Sequence, residues 1–264
     1  MQTLNMQDLK VTLVQADLAW QQPALNRQHF ESVFNQLEGK TDLIILPEMF
    51  TTGFTMAPES QAEPEQGETC QWLKEQAVKT GAAIMGSVVT ACAEGYRNRL
   101  LFTTPEGEQW HYDKRHLFRM GGEHNHYQPG TERVIFEYQG WRILPQICYD
   151  LRFPVFSRNQ NEYDLLVYVA NWPEVRRNAW RTLLQARAIE NLCYVAGVNR
   201  VGTDGSGLAY SGDSLLVGFK GDCLIDKAPS QVFTETFSLS YETLAQFREQ
   251  FPAWRDADEF ELKL

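Results

Sequence analysis

The stretch Trp141–Pro154, WRILPQICYDLRFP, constrains this chain more than any other. It begins as a strand, with apolar Ile143, Leu144 and Ile147 following Gly140. Pro145 has no N–H to give to a ladder, so the strand is expected to be short, bulged or close to a sheet edge. After Ile147 the chemistry changes. Cys148, Tyr149, Asp150 and Arg152 place a thiol, a phenol, an acid and a base close together, and Pro154 ends regular structure. A cysteine at the end of a buried strand is either a nucleophile or a small buried apolar side chain. Which one it is depends on what the rest of the chain brings to it. Asp150 and Arg152 read as an ion pair that holds the turn.

The 264 residues are 43% hydrophobic and 12% aromatic, enough for a large core. The net charge of -10 speaks against nucleic acid as a partner, because phosphate binding needs a basic face. No apolar run approaches the roughly 20 residues of a membrane span. The opening MQTLNMQDLK has no basic region followed by a long apolar one, so no secretory leader is expected. The cysteines Cys70, Cys92, Cys148, Cys193 and Cys223 are odd in number and contain no CxxC pair. Free thiols in a reducing, cytoplasmic setting follow.

Apolar alternation and short apolar runs predict strands over 10–17, 42–48, 82–90, 98–104, 109–114, 134–138, 141–148, 164–170, 193–201, 213–219 and 232–239. Helical spacing predicts helices over 26–37, 67–80, 179–191 and 241–251, with Gly81 as a stop. The alternation runs from end to end with no linker, so residues 1–264 read as one α/β domain. The later part is rich in adjacent strands, which points to two stacked sheets with helices outside.

Three strands of buried type end in polar groups. DLIILPE ends at Glu48, WRILPQICYD at Cys148 and Asp150, and DLLVYVANWP at Asn171 and Trp172. Ligands of α/β sheets sit beyond the carboxyl ends of strands. If these strands are parallel, a carboxylate, a thiol and an amide meet on one rim. The segment HYDKRHLFRMGGEHNHY reads as a long polar loop that supplies Lys114, His116, Glu123, His124 and His126. Its histidines, with His111, match neither a helix-face pair nor a zinc spacing, so no metal is expected. GTDGSG, from Gly202, is a turn-rich loop without phosphate-loop spacing. No GxGxxG, Walker or GxSxG motif occurs, and no cofactor is implied.

LPEMFTTGF around Glu48, YDKRHLF around Lys114 and ICYDLRFP around Cys148 resemble the three signature blocks of the nitrilase superfamily, in the family's order. The flanks KVTLVQAD, YVANWP, RAIENLCYVAGVNRVG and YSGDS extend the resemblance along nearly the whole chain. HLFRMGGEH and CYDLRFPVFSRN are most similar to the omega-amidase branch, which hydrolyses 2-oxoglutaramate and related omega-amides of 2-oxo acids. The resemblance implies a four-layer αββα sandwich, no cofactor, a small acidic amide as substrate and a homodimer. The apolar face of Ala179–Asn191 and the segment FPAWRDADEF are candidates for the dimer contact.

By the same resemblance Cys148 is the nucleophile, Glu48 the base and Lys114 the positive charge. Lys114 and the Tyr149 N–H form the oxyanion hole, and Glu123 is a second carboxylate. Asn171 and Trp172 line the pocket, and Arg176 and Arg177 are candidates for the substrate's acid group. The chemistry fits these residue types. A free thiol is only a few per cent thiolate at neutral pH, so attack on an amide needs a base. A unit charge about 4 Å away at an effective dielectric of about 20 is worth ~4 kcal/mol to a thiolate or oxyanion. Two other readings remain: a nitrilase proper or an N-carbamoyl amino acid hydrolase with the same machinery, and a non-catalytic binding protein that keeps the fold.

Overall fold

The computed structural model describes residues 7–264. The first six residues, on which the reading of the N-terminus partly rests, lie outside them. The strands are β1 (Leu9–Gln15), β2 (Leu43–Ile45), β3 (Glu63–Pro64), β4 (Ala83–Cys92), β5 (Gly95–Thr103), β6 (Gln109–Asp113), β7 (Phe136–Tyr138) and β8 (Trp141–Ile147). They continue with β9 (Leu165–Ala170), β10 (Tyr194–Asn199), β11 (Val201–Thr203), β12 (Ala209–Ser211), β13 (Leu215–Val217), β14 (Cys223–Asp226) and β15 (Phe233–Leu239). The helices are α1 (Pro23–Phe34), α2 (Pro58–Gln61), α3 (Glu68–Thr80), α4 (Pro154–Ser157), α5 (Arg177–Asn191) and α6 (Tyr241–Gln250).

Two sheets form. One runs β15-β1-β2-β4-β5-β6, with β3 added at the far end of β4, and the other runs β14-β13-β10-β9-β8-β7. Strand β2 shows how they stack. Leu43 and Ile45 join the buried cluster shared with the second sheet, while Ile44 and Leu46 join the one made with α1 and α3. A period of two therefore buries both faces, as the solid apolar run DLIIL requires. On the far side, α5 packs Trp180, Leu184 and Ala188 into the shared cluster. Gly197 of β10 makes that approach possible: a Cβ there would lie 2.4 Å from a Leu184 methyl. The result is the expected sandwich, helices outside two facing sheets.

Several boundaries moved inward by a few residues. Strand 42–48 is only Leu43–Ile45, because Pro47 and the turn at Met49, with φ of 44°, carry Glu48 beyond the ladder. Pro145 sits opposite Val167 of β9, past the residues that β7 covers, so it faces a neighbour on one side only. The face of α5 is also different from its periodicity. Trp180, Leu184 and Ala188 are consumed by the core, while Ile189 is exposed. Phe251 and Phe260 of the C-terminal segment are exposed as well.

The second sheet is tied to α6 by a buried ion cluster. Asp164, with no exposure, accepts from Arg142 Nη2 at 2.8 Å and from Arg248 Nη1 at 2.6 Å. Removing one member of such a cluster leaves its partners' charge uncompensated, which typically costs about 3–5 kcal/mol. Asp164→Ala is expected to lower the unfolding free energy by that amount in urea titration. A loss under about 1 kcal/mol would show that water replaces the carboxylate.

Candidate active site

The site forms where the rims of the two sheets meet. From the first sheet, the segment after β2 brings Glu48. It is pinned to β4 by Leu46 N donating to Met85 O at 2.7 Å and Met49 N donating to Ser87 Oγ at 2.8 Å. Lys114 follows β6, and its backbone N–H donates to the Asn98 carbonyl of β5 at 3.0 Å. The loop beyond it folds back so that the Phe118 N–H donates to Glu123 Oε2 at 2.6 Å. From the second sheet, parallel β8 and β9 end at Cys148 and Asn171. The polar strand ends thus meet across two sheets rather than on one rim.

Asp150 fixes the turn that carries Cys148. Its Oδ2 accepts from Ile147 N at 2.9 Å and from the Tyr112 hydroxyl at 2.8 Å. Its Oδ1 accepts from His116 N at 2.9 Å and lies 2.7 Å from His116 Nδ1. Asp150 is therefore not the partner of Arg152, contrary to the sequence expectation, because donors from β8, β6 and the Lys114 loop saturate it. Arg152 instead lies over the Trp172 ring, 5.0 Å from its centroid. Cys148 takes φ of 46°, a left-handed conformation that strains a residue with a Cβ and that the surrounding bonds must hold.

The three charged groups converge. Lys114 Nζ donates to Glu48 Oε1 at 2.8 Å and to Glu123 Oε1 at 3.0 Å. Glu48 Oε2 accepts from the Asn171 N–H at 2.8 Å, and the Asn171 side chain returns a bond to the Glu48 carbonyl. Glu48 and Glu123 are fully buried, and Lys114 nearly so. Burial pulls the Lys114 ammonium toward neutrality, but the charges of Glu123 and Glu48 outweigh it and hold its pKa well above the lysine range. Burial pushes the Glu123 carboxyl up, against the opposing pull of Lys114. Burial, reinforced by the negative charge of Glu48, also pushes the Cys148 thiol well above its ordinary value, and Lys114 only partly offsets this.

A cavity of about 190 Å³ opens onto this group, with Lys114, Cys148 and Asn171 in its wall. Phe54, Phe118 and Trp172 make it largely apolar, and Arg152 and Arg176 are its other cations. Arg176 lies 5.3 Å from the Phe118 ring centroid. Among the described residues, no carboxylate pairs with Arg152 or Arg176. Arg177 is different. Its Nε donates to Asp213 Oδ2 at 3.0 Å, it does not line the cavity, and so it drops out as a candidate for the substrate's acid group.

The carbon-nitrogen hydrolase family model matches residues 10–246. This chain belongs to that family, the nitrilase superfamily. It stands in the omega-amidase branch and is an amidase. It is 50% identical to omega-amidase YafV of Yersinia enterocolitica over 97% of this chain and 99% of that one. It is 31% identical to a 2-oxoglutaramate amidase of Bacillus subtilis over 93% of this chain and 96% of that one. Among solved structures it resembles XC1258 of Xanthomonas campestris, a CN-hydrolase superfamily protein with an arsenic adduct in its active site. That likeness has a TM-score of 0.95 and 49% identity, and it covers 97% of this chain and 100% of that one.

The nitrilase-superfamily blocks accounted for Glu48, Lys114 and Cys148, but not for what closes the site. The GTDGSG loop, set aside as a mere turn, joins β11 to β12 and brings Asp204, Leu208 and Tyr210 to the cavity. Asp204 is internally satisfied: it accepts from the N–H groups of Ser206 and Leu208 and from the Tyr210 hydroxyl. Phe54 and Phe118 sit inside two of the quoted blocks, yet only the fold shows that they face the sulfur's cavity. No group of three or more His, Cys, Asp or Glu side chains is placed to hold a metal among the described residues, and no helix there is long and apolar enough to cross a membrane.

Cys148 and Cys193 are both buried, but only Cys148 borders the cavity. Brief treatment of the native protein with iodoacetamide is expected to modify Cys148 and leave Cys193 untouched, as read by peptide mass mapping. Label on Cys193 in folded protein would contradict this placement of the two sulfurs.

Proposed function

We propose that this amidase hydrolyses a small omega-amide of a 2-oxo dicarboxylic acid, of the 2-oxoglutaramate kind, through a thioester on Cys148. The observation that carries the reading is the placement of the Cys148 thiol and the Glu48–Lys114–Glu123 cluster at one largely apolar cavity, whose wall also holds two guanidiniums with no carboxylate partner among the described residues. A neutral thiol needs a base at the moment of attack, and Glu48 is the neighbouring carboxylate. Glu48 takes the S–H proton as the sulfur bonds to the amide carbon. The oxyanion that forms is stabilised by the Lys114 ammonium and the Tyr149 N–H, which opens a short helical turn and so has no acceptor within it. Glu48 returns the proton to nitrogen, the C–N bond breaks and ammonia leaves the thioester. Water then gives Glu48 a proton and adds to the thioester. The acid departs, and the proton goes back to sulfur. Glu123 holds Lys114 in place throughout.

An apolar cavity with cations suits a short acid. Arg152 and Arg176, each resting on an aromatic ring, serve its carboxylate, and Asn171 and Trp172 form the wall beside the amide. The relatives named omega-amidase and 2-oxoglutaramate amidase, which align along nearly the full chain, support the same substrate class. Five free cysteines fit a reducing cytoplasm. The exposed Phe251 and Phe260 offer apolar surface for a homodimer.

Ammonia release from 2-oxoglutaramate, glutamine and a simple nitrile, measured side by side, tests the reading. Release is expected from the first and not from the nitrile; release from the nitrile alone favours a nitrilase, and from none of the three a binding protein. Cys148→Ala is expected to reduce turnover at least ~10⁴-fold while leaving the melting temperature nearly unchanged. Arg152→Met and Arg176→Met are each expected to raise KM for the acidic amide roughly 10- to 100-fold with kcat within a few-fold, because a charge-assisted bond is worth about 1.5–3 kcal/mol. Unchanged KM in both variants would place the carboxylate elsewhere.

A further inference from the structure

Asn98 lies in β5, a residue that neither the quoted signature blocks nor the cavity wall includes. It touches both carboxylates of the site and the main chain of Lys114. Its backbone carbonyl accepts from Lys114 N at 3.0 Å. Its side-chain Nδ2 donates to Glu48 Oε1 at 2.8 Å and approaches Glu123 Oε1 at 3.4 Å. The residue is fully buried, and its Oδ1 has no partner. An amide whose oxygen goes unsatisfied while its nitrogen serves two carboxylates is oriented by those carboxylates.

We propose that Asn98 is a positioning residue: a neutral donor that holds the Glu48 carboxyl in place and aims it beside Glu123. Two buried carboxylates that share one ammonium repel each other, and such a pair tends to retain a proton. A proton retained on Glu48 would disable it as the base for Cys148. Lys114 alone supplies one positive charge for two negative ones. Asn98 adds a second donor to Glu48 Oε1, the oxygen that Lys114 also binds, and leaves Oε2 to the Asn171 N–H. Hydrogen bonds to the charged form favour it without adding net charge. The titratable groups around the amide are Glu48, Glu123, Lys114 and Cys148, with Tyr127 beyond them donating to the Thr55 carbonyl. The backbone bond to Lys114 requires no particular side chain, so substitution at 98 isolates the amide.

The inference rests on the reading of Glu48 as the base, and its test separates the two. Alkylation of Cys148 by iodoacetamide is followed by peptide mass mapping from pH 5 to pH 8, so no natural substrate is needed. In Asn98→Ala, Asn98→Asp and wild type, the acidic limb of the rate profile is compared. Loss of the donor is expected to move that limb to higher pH by about one unit in Asn98→Ala and further in Asn98→Asp, where a third acid joins the cluster. On the acidic limb alkylation is expected to slow by up to roughly ten-fold in Asn98→Ala, with near-wild-type rates returning by pH 8. A purely structural loss would slow all pH values alike and would overturn the proposal. Limbs that coincide with wild type in both variants overturn it as well, provided Glu48→Gln is slowed. A Glu48→Gln variant that alkylates like wild type refutes the base itself, and the role of Asn98 with it.

Discussion

Two carboxylates and one ammonium share a space from which water is excluded, and the site is arranged around that imbalance. Glu48 arrives on the segment after β2, and Lys114 and Glu123 on the loop that follows β6. None of the three is comfortable alone. A lone buried lysine neutralises and a lone buried glutamate protonates, since desolvation penalises whichever form is charged. Together they stay in place, because the Coulomb attraction in a poorly screened interior is large. The remaining negative charge is spread over neutral donors from Asn98, Asn171 and Phe118. Burial, with Glu48 adding to it, also pushes the nearby Cys148 thiol up.

The αββα arrangement makes this cluster possible. Helices on the outer faces leave the two sheets free to meet, and their strand ends approach from opposite sides. Glu48 and Asn171 exchange bonds across the seam, so the carboxylate and the rim that carries Cys148 are positioned by one reciprocal contact. Asp150 performs the same service between the Cys148 turn and the Lys114 loop. The strained φ at Cys148 persists because bonds from two sheets hold it.

The arginines sort by their partners. Arg99, Arg142, Arg177, Arg181, Arg200 and Arg248 are spent on carboxylates of the framework. Arg152 and Arg176 are not, and both border the cavity. Sequence could not divide Arg176 from Arg177, which are adjacent. A helix start turns one toward Phe118 and the other toward Asp213.

Much of this was legible along the chain, and for a definite reason. Apolar periodicity marks elements because burial is a local demand on each strand and helix, so the sandwich was readable from runs such as DLIIL and from the helix stop at Gly81. The blocks around Glu48, Lys114 and Cys148 were readable by their resemblance to the nitrilase-superfamily signatures, and residue pattern alone marked Glu48 and Cys148 as polar strand ends. The sequence did not reveal Asn98, the release of Asp150 from Arg152, or the hairpin that brings Leu208 and Tyr210 to the cavity. Each of these depends on distance between segments far apart in the chain: a polar residue inside a strand looks like a solvated face until the opposing carboxylates are seen. Residue types determined which chemistry was available to the chain. Only the packing of one sheet against the other decided which groups share the dry space where a single charge changes the state of the rest.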